Sequence, residues 1–198
     1  MTEQDLGKIK GRAILDFLTW LAQERGPAVM KSIVDGIPLE RRGPLSANHP
    51  TFGLSSREWY PAEFIHALIE ALLRTLDPAD ARRIAMDGGG AMIRNMMHGP
   101  LAIVFALLVS PRSYGTFVSK VWNLSYDSGS LSHRMLDDTS DEVTAVGWRA
   151  HHPFLCLVNT GVRIATFEVM GCKNVRLVSH DCTIDGENRC QSVLRWEP

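Results

Sequence analysis

The sequence predicts an α/β fold in which a helical N-terminal part packs on a four-stranded antiparallel sheet, in the order helices, hairpin, helix, hairpin. Three observations predict it. Apolar residues recur at helical spacing through most of the first 125 positions. Beyond Asp127, two pairs of β-compatible runs are each joined by a polar turn. Between those pairs lies one long apolar stretch, Pro153 to Met170, that suits a helix with proline in its first turn.

Each element can be justified in order. Asp5 to Glu24 reads as an amphipathic helix with Ile9, Ile14, Leu15, Phe17, Leu18 and Leu21 as its stripe, ended by Arg25-Gly26-Pro27. A short helix from Ala28 to Val34 follows. Asp35 to Tyr60 carries Pro38, Pro44 and Pro50 and reads as an irregular linker or lid. Pro61 starts a helix to about Leu76, with Phe64, Ile65, Leu68, Ile69, Leu72 and Leu73 inward. Asp77-Pro78 opens another towards Met97, interrupted by Gly88-Gly89-Gly90. A phosphate-cradling loop would need a preceding strand and a Gly-x-Gly-x-x-Gly pattern, so close helix packing is the better account of these glycines. Gly99-Pro100 breaks the chain, Leu101 to Val109 is apolar enough to be buried, and Pro111 opens a helix to Tyr126 with Phe117, Val118, Val121 and Trp122 inward.

Leu131 to Leu136 and Val143 to Trp148 form the first predicted hairpin, across the polar turn Asp137 to Asp141. In the second, strict alternation puts Arg176, Val178, His180 and Cys182 on one strand face, and Cys190, Ser192, Leu194 and Trp196 on one face of the return strand. Asp185-Gly186 supplies the turn. Residues 1–60 read as an N-terminal helix plus irregular segment and 61–198 as the part that carries the resemblance to a ligand-binding domain given below, together one continuous globular unit.

Composition bounds the function. A net charge of -1 over 198 residues argues against a nucleic-acid surface, which is normally basic. No apolar run reaches the length of a membrane helix, and MTEQDLGKIK lacks a signal-peptide core. Four cysteines in a chain of this length do not suggest a disulfide scaffold, so the expected compartment is the reducing cytoplasm.

Three of those cysteines, Cys156, Cys182 and Cys190, fall where a helix and a hairpin would bring them together. Thiolates and imidazoles are the ligands of closed tetrahedral zinc sites. His180, His152 or a water on Ser179 would complete the shell, His152 being four residues before Cys156. The alternative is three reduced cysteines packed as small hydrophobes. Cys172, at a helix end, reads as structural or as an exposed thiol.

The pattern of Cys156, a helix containing Gly161, a strand to Cys182, a Gly186 turn, Cys190 and a short final strand resembles the C-terminal part of a 4-vinyl reductase domain. That family shares a superfamily with haem–nitric-oxide-binding domains and with subunits of vesicle-tethering complexes. The resemblance implies a structural zinc held by three cysteines and a glutamate beside an effector pocket. The cysteines carry over onto Cys156, Cys182 and Cys190; the glutamate falls at about Ser179, where this chain departs from the pattern. The layout also implies an apolar pocket between the sheet and the helices from Met86 to Tyr126, lined by Met92, Met96, Met97, Phe105, Trp122, Tyr126, Trp148 and Phe154. Ordinary core packing is the alternative.

A haem site is weighed on His98 as an iron ligand. The haem–nitric-oxide family follows that histidine with a Tyr-x-Ser-x-Arg clamp for the propionates. Here Tyr126-Asp127-Ser128-Gly129-Ser130 begins 28 residues after His98, with Ser130 in place of the arginine. Otherwise His98 caps a helix end. No Gly-x-Ser-x-Gly elbow is present. The acidic cluster Asp137, Asp138, Asp141 and Glu142 reads as a solvated turn, and His151-His152 as a helix entry rather than an acid–base pair. The expectation is therefore a non-catalytic small-molecule sensor that signals through a partner or as a homodimer, with Asp5 to Glu24 as the dimer surface if that stripe does not pack on its own core. A haem-based gas sensor and a tethering-type scaffold subunit are the alternatives.

Overall fold

The structure, a computed structural model, describes residues 5–97, 103, 105, 109–183 and 189–197. It is a mixed α/β fold in which N-terminal helices precede a four-stranded antiparallel sheet that itself carries helices. Strand β1 (Lys8–Lys10) pairs antiparallel with β2 (Trp59–Pro61), Ile9 opposite Tyr60. The predicted first helix therefore starts later, at Gly11. It also does not end at Arg25: α1 runs Gly11–Asp35 as two helical pieces joined at a kink, where Gly26 takes φ 80, ψ 165. Only glycine adopts that backbone cheaply, and Pro27 restarts the helix with its fixed φ. Ile14, Phe17, Leu18 and Leu21 are buried in the chain's own core.

The Pro-rich stretch after α1 holds one short helix, α2 (Leu39–Arg42), and packs down through Leu45, Phe52 and Leu54, all buried. Helix α3 (Ala62–Leu73) follows directly on Pro61. Helix α4 (Pro78–Met96) is capped by the Asp77 carboxylate, which accepts from the Asp80 N–H at 2.8 Å. The glycine triplet does not interrupt α4; Gly88, Gly89 and Gly90 are all buried inside it. A Cβ on Gly89 would stand 2.0 Å from the Val158 carbonyl oxygen, and one on Gly161 would stand 2.0 Å from that of Met86. Glycines on both helices thus let α4 and α6 (Pro153–Val169) approach backbone to backbone.

Helix α5 (Tyr114–Ser125) leads into the sheet, β3 (Ser130–Asp137), β4 (Ser140–Val146), β5 (Lys173–Thr183) and β6 (Arg189–Glu197), ordered β3-β4-β6-β5 with every neighbour antiparallel. Leu131, His133 and Met135 on β3, Asp141, Val143 and Ala145 on β4, and Cys190, Ser192, Leu194 and Trp196 on β6 are the more buried positions of their strands. Strict alternation fails on β5. A register shift lies between Leu177, opposite Leu194, and Ser179, opposite Val193. The extra residue leaves Val178 exposed and changes the inward set from Val175 and Leu177 to His180 and Cys182. Arg176 and Val178 therefore do not share a face with the cysteine. The turn at Asp185-Gly186 and the break at Gly99-Pro100 lie outside the described residues. So does most of Leu101 to Val109, of which Phe105 is buried while Ile103 is exposed. None of the described helices is long and apolar enough to cross a membrane.

Candidate functional site: an apolar cavity walled by a cysteine–histidine cluster

Between the sheet and the helices lies a cavity of about 740 Å³, walled by α1, α3, α4, α5, α6, β1, β3, β4 and β6. That lies within the usual range of small-molecule sites, about 300–1,000 Å³. Met92, Met96, Met97, Trp122, Tyr126, Trp148 and Phe154 all line it. Phe105 does not; it packs edge-on to Phe117, which does, at a centroid distance of 5.2 Å. Trp122, Tyr126 and Trp148 form one cluster with centroids 4.5–4.9 Å apart. The Tyr126 hydroxyl reaches Asn159 Oδ1 at 3.2 Å, and burial holds the phenol protonated well above its ordinary range.

The cavity's charged wall was not legible as such. Arg163, with a side chain 4% exposed, reaches from α6 to Asp141 Oδ1 at 3.2 Å and to Ser192 Oγ at 2.8 Å. His133 Nε2 stands 3.2 Å from the other Asp141 oxygen. Asp141 is therefore no part of a solvated turn; it is fully buried, whereas Asp137 and Asp138 are exposed. Burial pulls the Arg163 guanidinium down from its usual range, and the Asp141 charge opposes that. The signal available was positional: Asp141 alternates with Val143 and Ala145, and Arg163 is the one charged residue between Pro153 and Phe167.

At the other end of the same helix the cysteines meet. Ligand atoms of Cys156, His180, Cys182 and Cys190 all lie within 4.8 Å of one another. Cys156 comes from the first turns of α6, and Cys182 stands opposite Cys190 in the β5–β6 register. The Cys156 and Cys182 sulfurs are 3.4 Å apart, and His180 Nε2 is 3.5 Å from Cys190 Sγ. All four cysteines are free thiols. Contacts with Cys156 and Cys190 pull the Cys182 thiol down, and the contact with Cys182 pushes Cys156 up. Cys156 and Cys190 also line the cavity, so the cluster is part of its wall.

His152 is not part of the cluster. It is the N-cap of α6 with an extended backbone, so helical stacking on Cys156 does not apply; its Nδ1 accepts from the Phe154 N–H at 3.0 Å. Its neighbour His151 points inward instead, with Nε2 3.1 Å from Cys182 Sγ and 3.2 Å from Cys156 Sγ. Ser179 faces solvent on β5, opposite Val193. Cys172 is half-buried beside a second small core around Phe167 and Trp196. His98 lies outside the described residues.

No family model matches the sequence, and no curated protein matches it. Solved structures do match. An H-NOX mutant from T. Tengcongensis superposes with a TM-score of 0.68 over 96% of this chain and 98% of that one, at 10% identity. The fold is H-NOX-like. An unliganded Fe(II) H-NOX protein from K. algicida matches with a TM-score of 0.68, 12% identity and 96% and 97% of the two chains. An oxygen-binding H-NOX domain related to soluble guanylate cyclases gives 0.64 at 11% identity, covering 96% of each chain. The H-NOX-like order of helices, hairpin, helix and hairpin is the one the sequence predicts.

Proposed function

We propose that this chain is a non-catalytic sensor domain whose H-NOX-like cavity takes a small apolar molecule, as in the 4-vinyl reductase domains that its C-terminal third resembles. The observation that carries this reading is the cavity itself: aromatic and methionine walls enclose about 740 Å³ that core side chains normally fill. Beside it, Cys156, Cys182 and Cys190 hold a structural metal with one imidazole, His180 being the sequence candidate. Three soft donors converging with histidine nitrogen fit zinc in kind and number. Occupancy of the cavity is transmitted through a partner protein or through self-association.

Haem-dependent gas sensing is the second reading, and the fold favours it. The cavity is large enough, and Tyr126 lines it. The propionate clamp does not fit: Ser130 is exposed at the start of β3, and Arg163 is committed to Asp141 and Ser192. A serine also lacks the planar cationic fork that grips carboxylates.

Adding hemin to the purified chain separates the two readings. The sensor reading predicts weak, non-stoichiometric uptake without an ordered Soret band, alongside saturable binding of naphthalene. A sharp Soret band at one haem per chain, lost in His98→Ala, would replace the first reading with the second.

A further inference from the structure

Three sulfurs leave one position of a tetrahedral site to fill, and two imidazoles compete for it. His180 sits on edge strand β5, half-buried, with one sulfur within 3.5 Å. His151 is 8% exposed, and its Nε2 lies 3.1 Å and 3.2 Å from two sulfurs that are themselves 3.4 Å apart. Zinc bonds of about 2.3 Å to sulfur and 2.0–2.1 Å to nitrogen set the edges of a tetrahedron at about 3.5–3.8 Å. The Cys156–Cys182–His151 triangle is one face of such a tetrahedron, slightly contracted.

The backbone holds His151 there. Its N–H donates to the Trp148 carbonyl at 3.1 Å, closing a turn just before α6. The extended backbone of His152 then sends that ring the other way, against His66 at 5.2 Å. The His151 ring stands edge-on to Trp148, a cavity wall.

We propose that His151 Nε2 is the fourth ligand of a Cys3His metal site completed by Cys156, Cys182 and Cys190, with His180 outside the coordination shell. This rests on the metal reading above and names the ligand that reading leaves open. It also accounts for Ser179: on this chain the fourth donor comes from the connection before α6, and the outward-facing position on β5 is free to be serine. A neutral imidazole in place of a carboxylate limits the buried site to one net negative charge, since three thiolates face a dication. The metal then ties three elements together, the 148–152 connection, α6 and the β5–β6 pair, and fixes Trp148 against the cavity.

Cobalt(II) substitution of the full chain tests this, because its visible d–d and sulfur-to-metal charge-transfer bands report ligand number and type. The expected result is one cobalt per chain with a four-coordinate three-sulfur, one-nitrogen spectrum. His180→Ala should leave both spectrum and chelator competition unchanged. His151→Ala should shift the d–d bands and weaken retention about tenfold or more, since ligand loss costs at least what loss of an outer-shell partner does. His151→Cys covers the case in which the alanine variant does not fold: it should stay four-coordinate with added thiolate charge-transfer intensity. An altered spectrum in His180→Ala beside an unaltered one in His151→Ala, or a three-sulfur spectrum in His151→Cys, would overturn the proposal and leave the metal reading standing. A chain that takes up no cobalt would overturn both.

Discussion

Arg163 interrupts the apolar character of α6, and its carboxylate partner sits at the start of β4. Neither is solvated, so each is tolerated only because the other is present. Arg163→Met should cost about 3–5 kcal/mol, since it strands the Asp141 charge in the core. The double variant Arg163→Met with Asp141→Leu should recover most of that in urea denaturation; a double variant as unstable as the single one would contradict this account. His152 carries a second residue-scale prediction. Burial lowers its pKa from 6.5 to about 4, so the folded state keeps the ring neutral where the unfolded chain protonates it. Stability is then full above pH 6.5 and is lost as pH falls from there through 4. His152→Asn keeps an acceptor for the Phe154 N–H and should flatten the stability profile over that window; an unchanged slope would assign it elsewhere. The residue scale was also the least legible in the sequence. Residues 151 and 152 are both histidine, and only the N-cap backbone decides which one meets the cysteines. Asp141 hides in an acidic cluster whose other members are exposed or partly so.

At the scale of elements the chain was easier to read. The helix at Pro153, the two strand pairs and the break at Asp77-Pro78 follow from periodicity, proline and turn chemistry. The misplacements have local causes. A three-residue strand before Gly11 is too short to show alternation, and the bulge at Val178 reverses the face of β5 midway. The glycine triplet was legible as packing, although α4 runs through it unbroken. Gly89→Ala drives a Cβ to 2.0 Å from the Val158 carbonyl, where backbone rather than a pliable side chain must yield. It should destabilise by about 3 kcal/mol or more, read in the same urea titration; a near-neutral variant would mean that α4 and α6 are not this close. For the metal, the element at stake is the β5–β6 pair. Chelation should speed amide hydrogen exchange in Lys173–Thr183 while leaving α3 protected. Equal exchange before and after chelation would remove the metal from the structural role assigned here.

For the molecule as a whole, the fold was legible in outline and the cavity only through resemblance. Met and aromatic residues at helical spacing look the same in a filled core and in a hollow one. What distinguishes them is the arrangement of five helices and four strands around an unfilled centre, which emerges only when the pieces are assembled. A ligand that binds only the folded chain should raise its stability by about 2.7 kcal/mol at one hundred times the dissociation constant. Trp122 and Trp148 both line the cavity, so their emission reports what enters it. The most direct test is therefore a titration of tryptophan fluorescence with naphthalene, on the parent chain and on Val118→Phe, whose larger side chain intrudes into the cavity. The account predicts a saturable one-to-one change in the parent that is weakened or lost in the variant. No change in the parent up to the solubility limit, or an identical response in both chains, would contradict it.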